Sequence, residues 1–203
     1  MPTKVLVSGF EPFGGSAVNP SQLLVEALVK EEINGVLLDV IVLPVEFERS
    51  AQLLLKRIAE TNPDFVVAFG QAEGRKAITP EKIAINLDNA RIPDNSGDQR
   101  QNHAIDPNGA DGYFTTLPVS EIISAINSAG LPAELSLSAG AFVCNHVFYK
   151  LQKSLKDKPA KSGFVHIPLV TQQGPEFPGQ PTMELDDLVS GAKKLIEVLV
   201  GAI

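Results

Sequence analysis

A single cysteine, Cys144, is the strongest candidate nucleophile in the chain. It follows a turn at Ala139-Gly140 and falls in the first turn of a helix predicted from about residue 143 to 155. The N-terminus of a helix favours negative charge, so it should lower the pKa of the thiol and increase the fraction of reactive thiolate. The N–H groups there could also stabilise an oxyanion. A buried structural cysteine is the alternative, and it is the more frequent role of a lone cysteine.

His166 is the histidine best placed to act with a nucleophile, because it stands near the end of a predicted strand, residues 163–167. Open α/β sheets bind their ligands outside the carboxyl ends of their strands. We expect His103 to be solvated in a polar loop, and His146 lies two residues past Cys144, so it points to another helix face. A zinc site of Cys144, His146 and His166 would lack the regular ligand spacing of zinc sites, so no metal is predicted.

Other motifs narrow the chemistry. The glycines match neither the dinucleotide-binding pattern nor the phosphate-binding loop, and no GxSxG elbow of a serine α/β-hydrolase is present. Glu81 and Arg91, taken alone, are surface residues by default. A cysteine, a histidine and a carboxylate remain as the best nucleophilic set, so the residues predict a cysteine hydrolase without a cofactor. A small-molecule-binding α/β protein is the alternative.

Composition excludes several classes of partner. The chain has 203 residues, with 17 Lys and Arg against 24 Asp and Glu and a net charge of −7. Nucleic acids and anionic membranes are bound through clustered Lys and Arg, so neither is an expected partner. One cysteine excludes an internal disulfide. No apolar run reaches the roughly 18 residues of a membrane span, and no secretory signal is visible, so we expect a cytoplasmic protein with one domain over residues 1–203.

Short apolar segments alternate with helical patterns, which predicts an α/β fold with parallel strands and helices on the faces of the sheet. Asn19-Pro20 marks a helix start, with Asn as N-cap and Pro at the first helical position. The long polar stretch at residues 88–112 is typical of a functional loop. The predicted strands are residues 4–9, 36–43, 64–69, 82–87, 134–138 and 163–167, and the later predicted helices are residues 46–60, 119–129, 143–155 and 184–200.

Several segments form an ordered set along nearly the whole chain. They are GFEPFGG at residues 9–15 followed by Asn19-Pro20-Ser21, GQAEGR at 70–75, ITPEKIAIN at 78–86, ARIPDNSG at 90–97, SAGAFVCN at 138–145 and FVHIP at 164–168. Together they resemble the pyroglutamyl peptidase I family, also called pyrrolidone-carboxylate peptidases.

This resemblance implies a cysteine peptidase whose partners are peptides with an N-terminal pyroglutamyl (5-oxoproline) residue, which it releases. It implies that Cys144 is the nucleophile, that His166 is the general base and then acid, and that Glu81 orients His166. It further implies a three-layer α/β/α sandwich with a mixed, mostly parallel sheet, a cytoplasmic location and a homotetramer. Because nucleoside phosphorylases share this sandwich, they are a further alternative, but the phosphate site of Arg and Gly that they need is not found.

A pocket for 5-oxoproline needs apolar walls and a few hydrogen-bonding groups for the lactam, and no carboxylate to pair an amine. Phenylalanines can supply the walls, Gln71 can supply hydrogen bonds, and the resemblance implies that Arg91 lies near the oxyanion. The chain departs from the family at Ser16, where some relatives carry a third Phe, and at Ala141, where an aromatic is frequent. The predicted substrate-binding residues are Phe10, Phe13, Gln71, Arg91, Ile92 and Phe142.

Overall fold

The structure, a computed structural model, describes residues 2–201, along which strands and helices alternate for most of the length. The strands are β1 (Thr3–Phe10), β2 (Val36–Leu43), β3 (Phe65–Gln71), β4 (Thr79–Pro80), β5 (Ile83–Ile85), β6 (Gly112–Phe114), β7 (Lys161–Ile167), β8 (Leu169–Val170) and β9 (Thr182–Met183). The helices are α1 (Pro20–Leu28), α2 (Phe47–Thr61), α3 (Val119–Ser128), α4 (Val143–Leu155) and α5 (Leu185–Gly201). None of the helices within residues 2–201 is both long and apolar enough to cross a bilayer.

A five-stranded sheet lies at the centre, with its strands in the order β2-β1-β3-β7-β4. Neighbouring strands are parallel except for β4, which runs antiparallel to β7. The short pairs β5-β6 and β8-β9 lie outside this sheet. The predicted α/β class with a mostly parallel, mixed sheet is confirmed.

Helices cover both faces of the sheet, because successive strand residues point to opposite sides. In β1, Val5 and Val7 pack into a cluster with apolar residues of α1, α3 and α5, whereas Leu6 packs into a second cluster with those of α2 and α4. The sheet therefore lies between two helical layers, and the second layer carries the helix that begins at Val143.

The helix starts follow the local signals in the sequence. Asn19 accepts a hydrogen bond from the N–H of Ser21 at 2.9 Å, and Pro20 is the first residue of α1, as predicted. α4 has the predicted bounds, Val143–Leu155. β5 is shorter than the strand predicted for residues 82–87, because regular pairing with β6 covers three residues only.

The strand predicted for residues 134–138 is wrong. The segment runs parallel to residues 78–81, with which it forms only isolated bridges. Glu134 N–H donates to Ile78 O at 3.1 Å, and Ser136 N–H donates to Pro80 O at 3.0 Å. Since proline has no N–H, Pro80 cannot return a bond to Glu134, and the ladder is interrupted at that point.

The polar segment between β5 and β6 is tied to the start of α2 by Asp94. Its Oδ2 accepts from the N–H of Phe47 at 3.0 Å, and its Oδ1 accepts from the N–H groups of Ser96 and Asp98, both at 2.9 Å. Burial alone would raise the pKa of Asp94, but these hydrogen bonds and that from the Ser96 hydroxyl hold the pKa below its usual value. Asp94 thus caps a helix from a distant part of the chain.

Candidate active site

A cavity of about 640 Å³ opens where β1, β3 and β7 end. Its lining brings together Phe13 after β1, Gln71 at the end of β3, His166 near the end of β7 and Cys144 at the start of α4. These three strands are neighbours in the sheet, so residues far apart in sequence meet at one edge. This is the edge at which open α/β sheets bind ligands.

Cys144 is the second residue of α4, and it is partly exposed. A turn with Gly140 in the left-handed region, at φ 74°, directs the chain into the helix through the extended residue Phe142. Among residues 2–201 no side chain caps this first turn. Its N–H groups therefore remain available to a negatively charged group beside the thiol.

Gly70 on β3 makes room for the thiol. A Cβ atom placed on this residue would lie 2.9 Å from Sγ of Cys144 and 2.7 Å from the ring of Phe164. Gly70 also pairs with His166 in the parallel ladder of β3 and β7. The absence of a side chain at this position lets the nucleophile and the strand that carries His166 approach each other.

His166 is held by a buried carboxylate. Its Nδ1 lies 2.8 Å from Oε1 of Glu81, which has no exposed surface. Glu81 follows β4, which pairs with β7, and its own N–H donates to the carbonyl of Phe164 at 2.9 Å. An ionised carboxylate only accepts, so Nδ1 carries the proton and Nε2 is left as the basic nitrogen.

Arg75 lines the same cavity and contacts this pair. Its Nη2 is 2.9 Å from Oε1 of Glu81, the same oxygen that binds His166. Burial alone would raise the pKa of Glu81, but the hydrogen bond and charge of His166, the Ser136 hydroxyl and the charge of Arg75 hold it below its usual value. Glu81 is therefore ionised at neutral pH.

The resting state of the thiol differs from the expectation drawn from the helix terminus. Burial, followed by the negative charge of Glu81, raises the pKa of Cys144 to about 12, while Arg75 and a backbone hydrogen bond oppose that shift. Burial also lowers the pKa of His166, although Glu81 acts in the opposite direction. Both shifts favour a neutral thiol beside a neutral imidazole over an ion pair. The predicted lowering of the thiol pKa is wrong, because burial and the charge of Glu81 outweigh the charge of Arg75 and the backbone hydrogen bond.

Five of the six predicted substrate-binding residues line this cavity. The rings of Phe13 and Phe142 have centroids 6.0 Å apart and are tilted by 41° to each other. Gln71 also lines the cavity, and Arg91 and Ile92 form an exposed part of the wall. The sixth, Phe10, is not among the lining residues of the described chain. Its ring is 2% exposed and packs against that of Phe164 at 6.3 Å, because the last residue of β1 points into the core beneath the cavity.

A buried glutamine, Gln173, sets the orientation of the Gln71 amide. Val170 N–H donates to Oε1 of Gln173 at 3.1 Å, and Nε2 of Gln173 donates to the carbonyl of Val18 at 3.3 Å. The N–H of Val170 can only donate and the carbonyl of Val18 can only accept, so the amide of Gln173 has one orientation. Its Nε2 also lies 3.2 Å from Oε1 of Gln71. The amide group that Gln71 can offer to a ligand is therefore its NH₂.

His146 belongs to a separate cluster. Its Nδ1 is 2.9 Å from Oδ2 of Asp88, and that oxygen is 3.0 Å from Nη1 of Arg100. His146 is fully buried and does not line the cavity that Cys144 and His166 share. The three residues weighed above as zinc ligands, Cys144, His146 and His166, therefore do not converge on one point.

Four residues of the site were missed from the sequence, namely Gly70, Arg75, Gln173 and Phe177. Arg75 lies in a matched segment but carries no signal of its contact with Glu81, six residues later. Phe177 lines the cavity from the loop after β8. An aromatic residue in a Gly- and Pro-rich loop that follows the His166 strand is the signal that could have indicated it.

Comparison with known proteins shows that the chain is similar to peptidases. The family model described as pyroglutamyl peptidase matches residues 3–201. The chain is 44% identical to the pyrrolidone-carboxylate peptidase of Vibrio campbellii over 197 residues, which cover 97% of this chain and 92% of the relative. It is 44% identical over 201 residues to pyrrolidone-carboxylate peptidase 1 of Caldanaerobacter subterraneus, with 98% of each chain covered.

Solved structures agree with the sequence matches. The pyroglutamyl peptidase I of Bacillus amyloliquefaciens superposes with a TM-score of 0.92 at 38% identity, covering 96% of this chain and 93% of that one. A mutant pyrrolidone carboxyl peptidase from Pyrococcus furiosus gives 0.93 at 36% identity, with 98% and 99% covered. The fold and these relatives define a cysteine-type peptidase. Within that class, the chain belongs to the pyroglutamyl peptidase family.

Proposed function

We propose that this protein hydrolyses the amide bond after an N-terminal pyroglutamyl residue, with Cys144 as the nucleophile, His166 as general base and acid, and Glu81 as its orienting carboxylate. One observation carries the proposal: the thiol and an imidazole bound to a buried carboxylate line the same cavity. The names of the relatives and solved structures described above give the same activity.

The first half of the reaction starts from the neutral pair. As Sγ of Cys144 attacks the pyroglutamyl carbonyl carbon, the thiol proton passes to Nε2 of His166, and the nearby charge of Glu81 stabilises the imidazolium. The N–H groups at the start of α4 stabilise the oxyanion of the tetrahedral intermediate. The C–N bond then breaks, and His166 returns the proton to the leaving amine, which leaves a thioester on Cys144.

The second half is hydrolysis of that thioester. Water gives a proton to His166 and attacks the acyl carbon, the C–S bond breaks, and the sulfur regains a proton from the imidazolium. Pyroglutamate is released and the neutral pair is restored. Because burial raises the pKa of the Cys144 thiol, the thiol starts the reaction protonated, and His166 is the group that takes its proton.

The wall of the cavity accounts for selectivity. The rings of Phe13 and Phe142 enclose the apolar face of the lactam, while the NH₂ group of Gln71, oriented by Gln173, donates to the lactam carbonyl. Arg91 on the exposed wall offers further donors to the reacting carbonyl. A proline residue has no such carbonyl and carries a charged ring nitrogen, so it leaves the donors unpaired and costs desolvation.

The test compares a fluorogenic pyroglutamyl amide with the matching prolyl amide. We expect kcat/KM for the prolyl amide to be lower by about 10³-fold or more, because a charge and an unpaired donor are both penalised. Cys144→Ala should remove turnover of both substrates while leaving the thermal unfolding temperature unchanged. Comparable kcat/KM values for the two amides, or turnover by Cys144→Ala, would overturn the proposal.

The assembly and location of the enzyme are part of the proposal on the strength of the family resemblance. We propose a homotetramer in the cytoplasm. Sedimentation equilibrium of the purified chain tests the assembly, for which a mass of one or two chains is the contradicting result, and cell fractionation tests the location.

A further inference from the structure

We propose that Arg75 is a positioning residue that holds both His166 and the segment leading to Cys144, so that imidazole and thiol stay aligned. This inference rests on the proposed function of the site. Arg75 is mostly buried, with 22% of its side chain exposed, and its guanidinium makes three contacts with two segments of the chain, two with Thr79 and Glu81 and one with Ser138.

The first contact is with the carboxylate that orients the imidazole. Nη2 of Arg75 and Nδ1 of His166 lie 2.9 Å and 2.8 Å from the same oxygen, Oε1 of Glu81. Glu81 is fully buried, so its negative charge needs a permanent positive partner, which a histidine that changes its protonation state during the reaction does not provide. Arg75 supplies that charge throughout the cycle.

The second contact reaches the backbone of the same histidine. Thr79 donates its hydroxyl proton to the carbonyl of His166 at 3.0 Å, so its oxygen is left to accept from Nη1 of Arg75. Thr79 and His166 also pair across the antiparallel ladder of β4 and β7. Arg75 thus holds the side chain of His166 through Glu81 and the main chain through Thr79.

The third contact is on the nucleophile side. Nη2 of Arg75 donates to the carbonyl of Ser138 at 3.1 Å, just before the turn at Gly140 that leads into Cys144. The planar guanidinium directs two nitrogens at three acceptors in a fixed geometry. A lysine ammonium keeps the charge but cannot match this fork, so the two variants separate charge from geometry.

The charge has a measurable consequence for the imidazole. The charged groups that act on His166 are Glu81 and Arg75, and the thiol of Cys144 lies in the same cavity. Arg75 contributes to the lowered pKa of His166, after burial, so its removal should raise that pKa. The acidic limb of the pH–rate profile reports the same ionisation and should move to higher pH.

The experiment compares Arg75→Met and Arg75→Lys with Lys76→Met, a control at the exposed neighbouring residue. For Arg75→Met we expect kcat to fall about 10²-fold with KM changed little, because the reacting groups lose alignment. The acidic limb of its pH–rate profile should move to higher pH by about one unit. For Arg75→Lys we expect kcat to fall about tenfold, with the acidic limb of the pH–rate profile near its wild-type position. Lys76→Met should have the kcat and the acidic limb of the wild type.

A measurement without substrate keeps this inference separate from the proposed function. NMR titration of the His166 ring should show a higher pKa in Arg75→Met than in the wild type, whatever substrate the enzyme prefers. If kcat and the free energy of unfolding fell together while the limb and the ring pKa stayed in place, Arg75 would be a stabilising residue only, and the inference would be overturned. A wild-type enzyme inactive on pyroglutamyl amides would instead contradict the proposed function alone.

Discussion

Glu81→Gln removes the charge that orients and stabilises His166 while preserving the size of the side chain. The carboxylate oxygen lies 2.8 Å from Nδ1 of the ring and is fully buried, so water does not screen the interaction. The amide can also present its NH₂ group to the ring, which favours the tautomer with its proton on the nitrogen that must accept the thiol proton. We therefore expect the substitution to act on the chemical step.

The size of the effect follows from the charge separation. Two unit charges about 4 Å apart attract by about 4 kcal/mol at an effective dielectric constant of about 20, and this attraction stabilises the imidazolium formed during attack. Arg75, 2.9 Å from the same oxygen, offsets part of that attraction. The expected loss in kcat is therefore about 10²- to 10³-fold, with KM nearly unchanged.

The assay is the pH dependence of kcat/KM on a pyroglutamyl amide. In the wild type, burial lowers the pKa of His166 and Glu81 partly restores it. Without that carboxylate the pKa falls further, so the free base persists to lower pH and the acidic limb moves to lower pH. This is opposite to the shift expected for Arg75→Met.

The control is Glu134→Gln, the same chemical change at an exposed position outside the cavity. It should leave kcat, the acidic limb and the free energy of unfolding unchanged. A kcat for Glu81→Gln within a few-fold of the wild type would refute the reasoning, as would an acidic limb that did not move. A loss of stability with unchanged specific activity would make Glu81 a structural residue.

Three further predictions follow from single contacts. Gly70→Ala should lower kcat by at least about tenfold, because its Cβ would lie 2.9 Å from Sγ of Cys144; an unchanged kcat in steady-state assays would contradict this. Gln173→Leu should raise KM for the pyroglutamyl amide about tenfold through one lost hydrogen bond, whereas the exposed neighbour Gln172→Leu should not. Asp94→Asn should lower the free energy of unfolding in urea by about 1 kcal/mol. Because the pKa of Asp94 is lowered in the folded protein, this difference in stability should be fully present at a pH above 3.8, the usual pKa of an aspartate. It should disappear as the pH falls through the lowered pKa of the folded state. Equal stability of the two proteins at pH 7 would refute the capping role of Asp94.

Much of the fold could be predicted because local signals and tertiary packing agree. The Asn19-Pro20 start of α1 and the bounds of α4 follow from capping residues and apolar spacing. His166 could be placed near the end of a strand for the same reason. The segment at 134–138 looked like a strand, yet its ladder is broken by Pro80, a residue more than fifty positions earlier. The local sequence pattern of the segment does not indicate that it pairs with Pro80.

The sequence predicts the candidate catalytic residues, but it does not predict the contacts around them. The family segments indicate Glu81, Cys144 and His166, whereas the oxygen of Glu81 that Arg75 and His166 share is visible only in three dimensions. The thiol pKa shows the same limit. A helix terminus can be recognised in the sequence, but the burial that reverses its effect on Cys144 depends on the whole cavity.

The central claim is that Cys144 forms a thioester with the pyroglutamyl group, and mass spectrometry of the acid-quenched enzyme tests it most directly. The enzyme is mixed with excess pyroglutamyl amide, quenched in acid during turnover, and digested for peptide mapping. We predict a mass gain of one pyroglutamyl group on the peptide that contains Cys144, removable by hydroxylamine and absent in Cys144→Ala. To enrich the adduct, a pyroglutamyl thioester substrate speeds acylation relative to hydrolysis. An adduct on a residue other than Cys144 during turnover, or activity of the Cys144→Ala variant, would contradict the account.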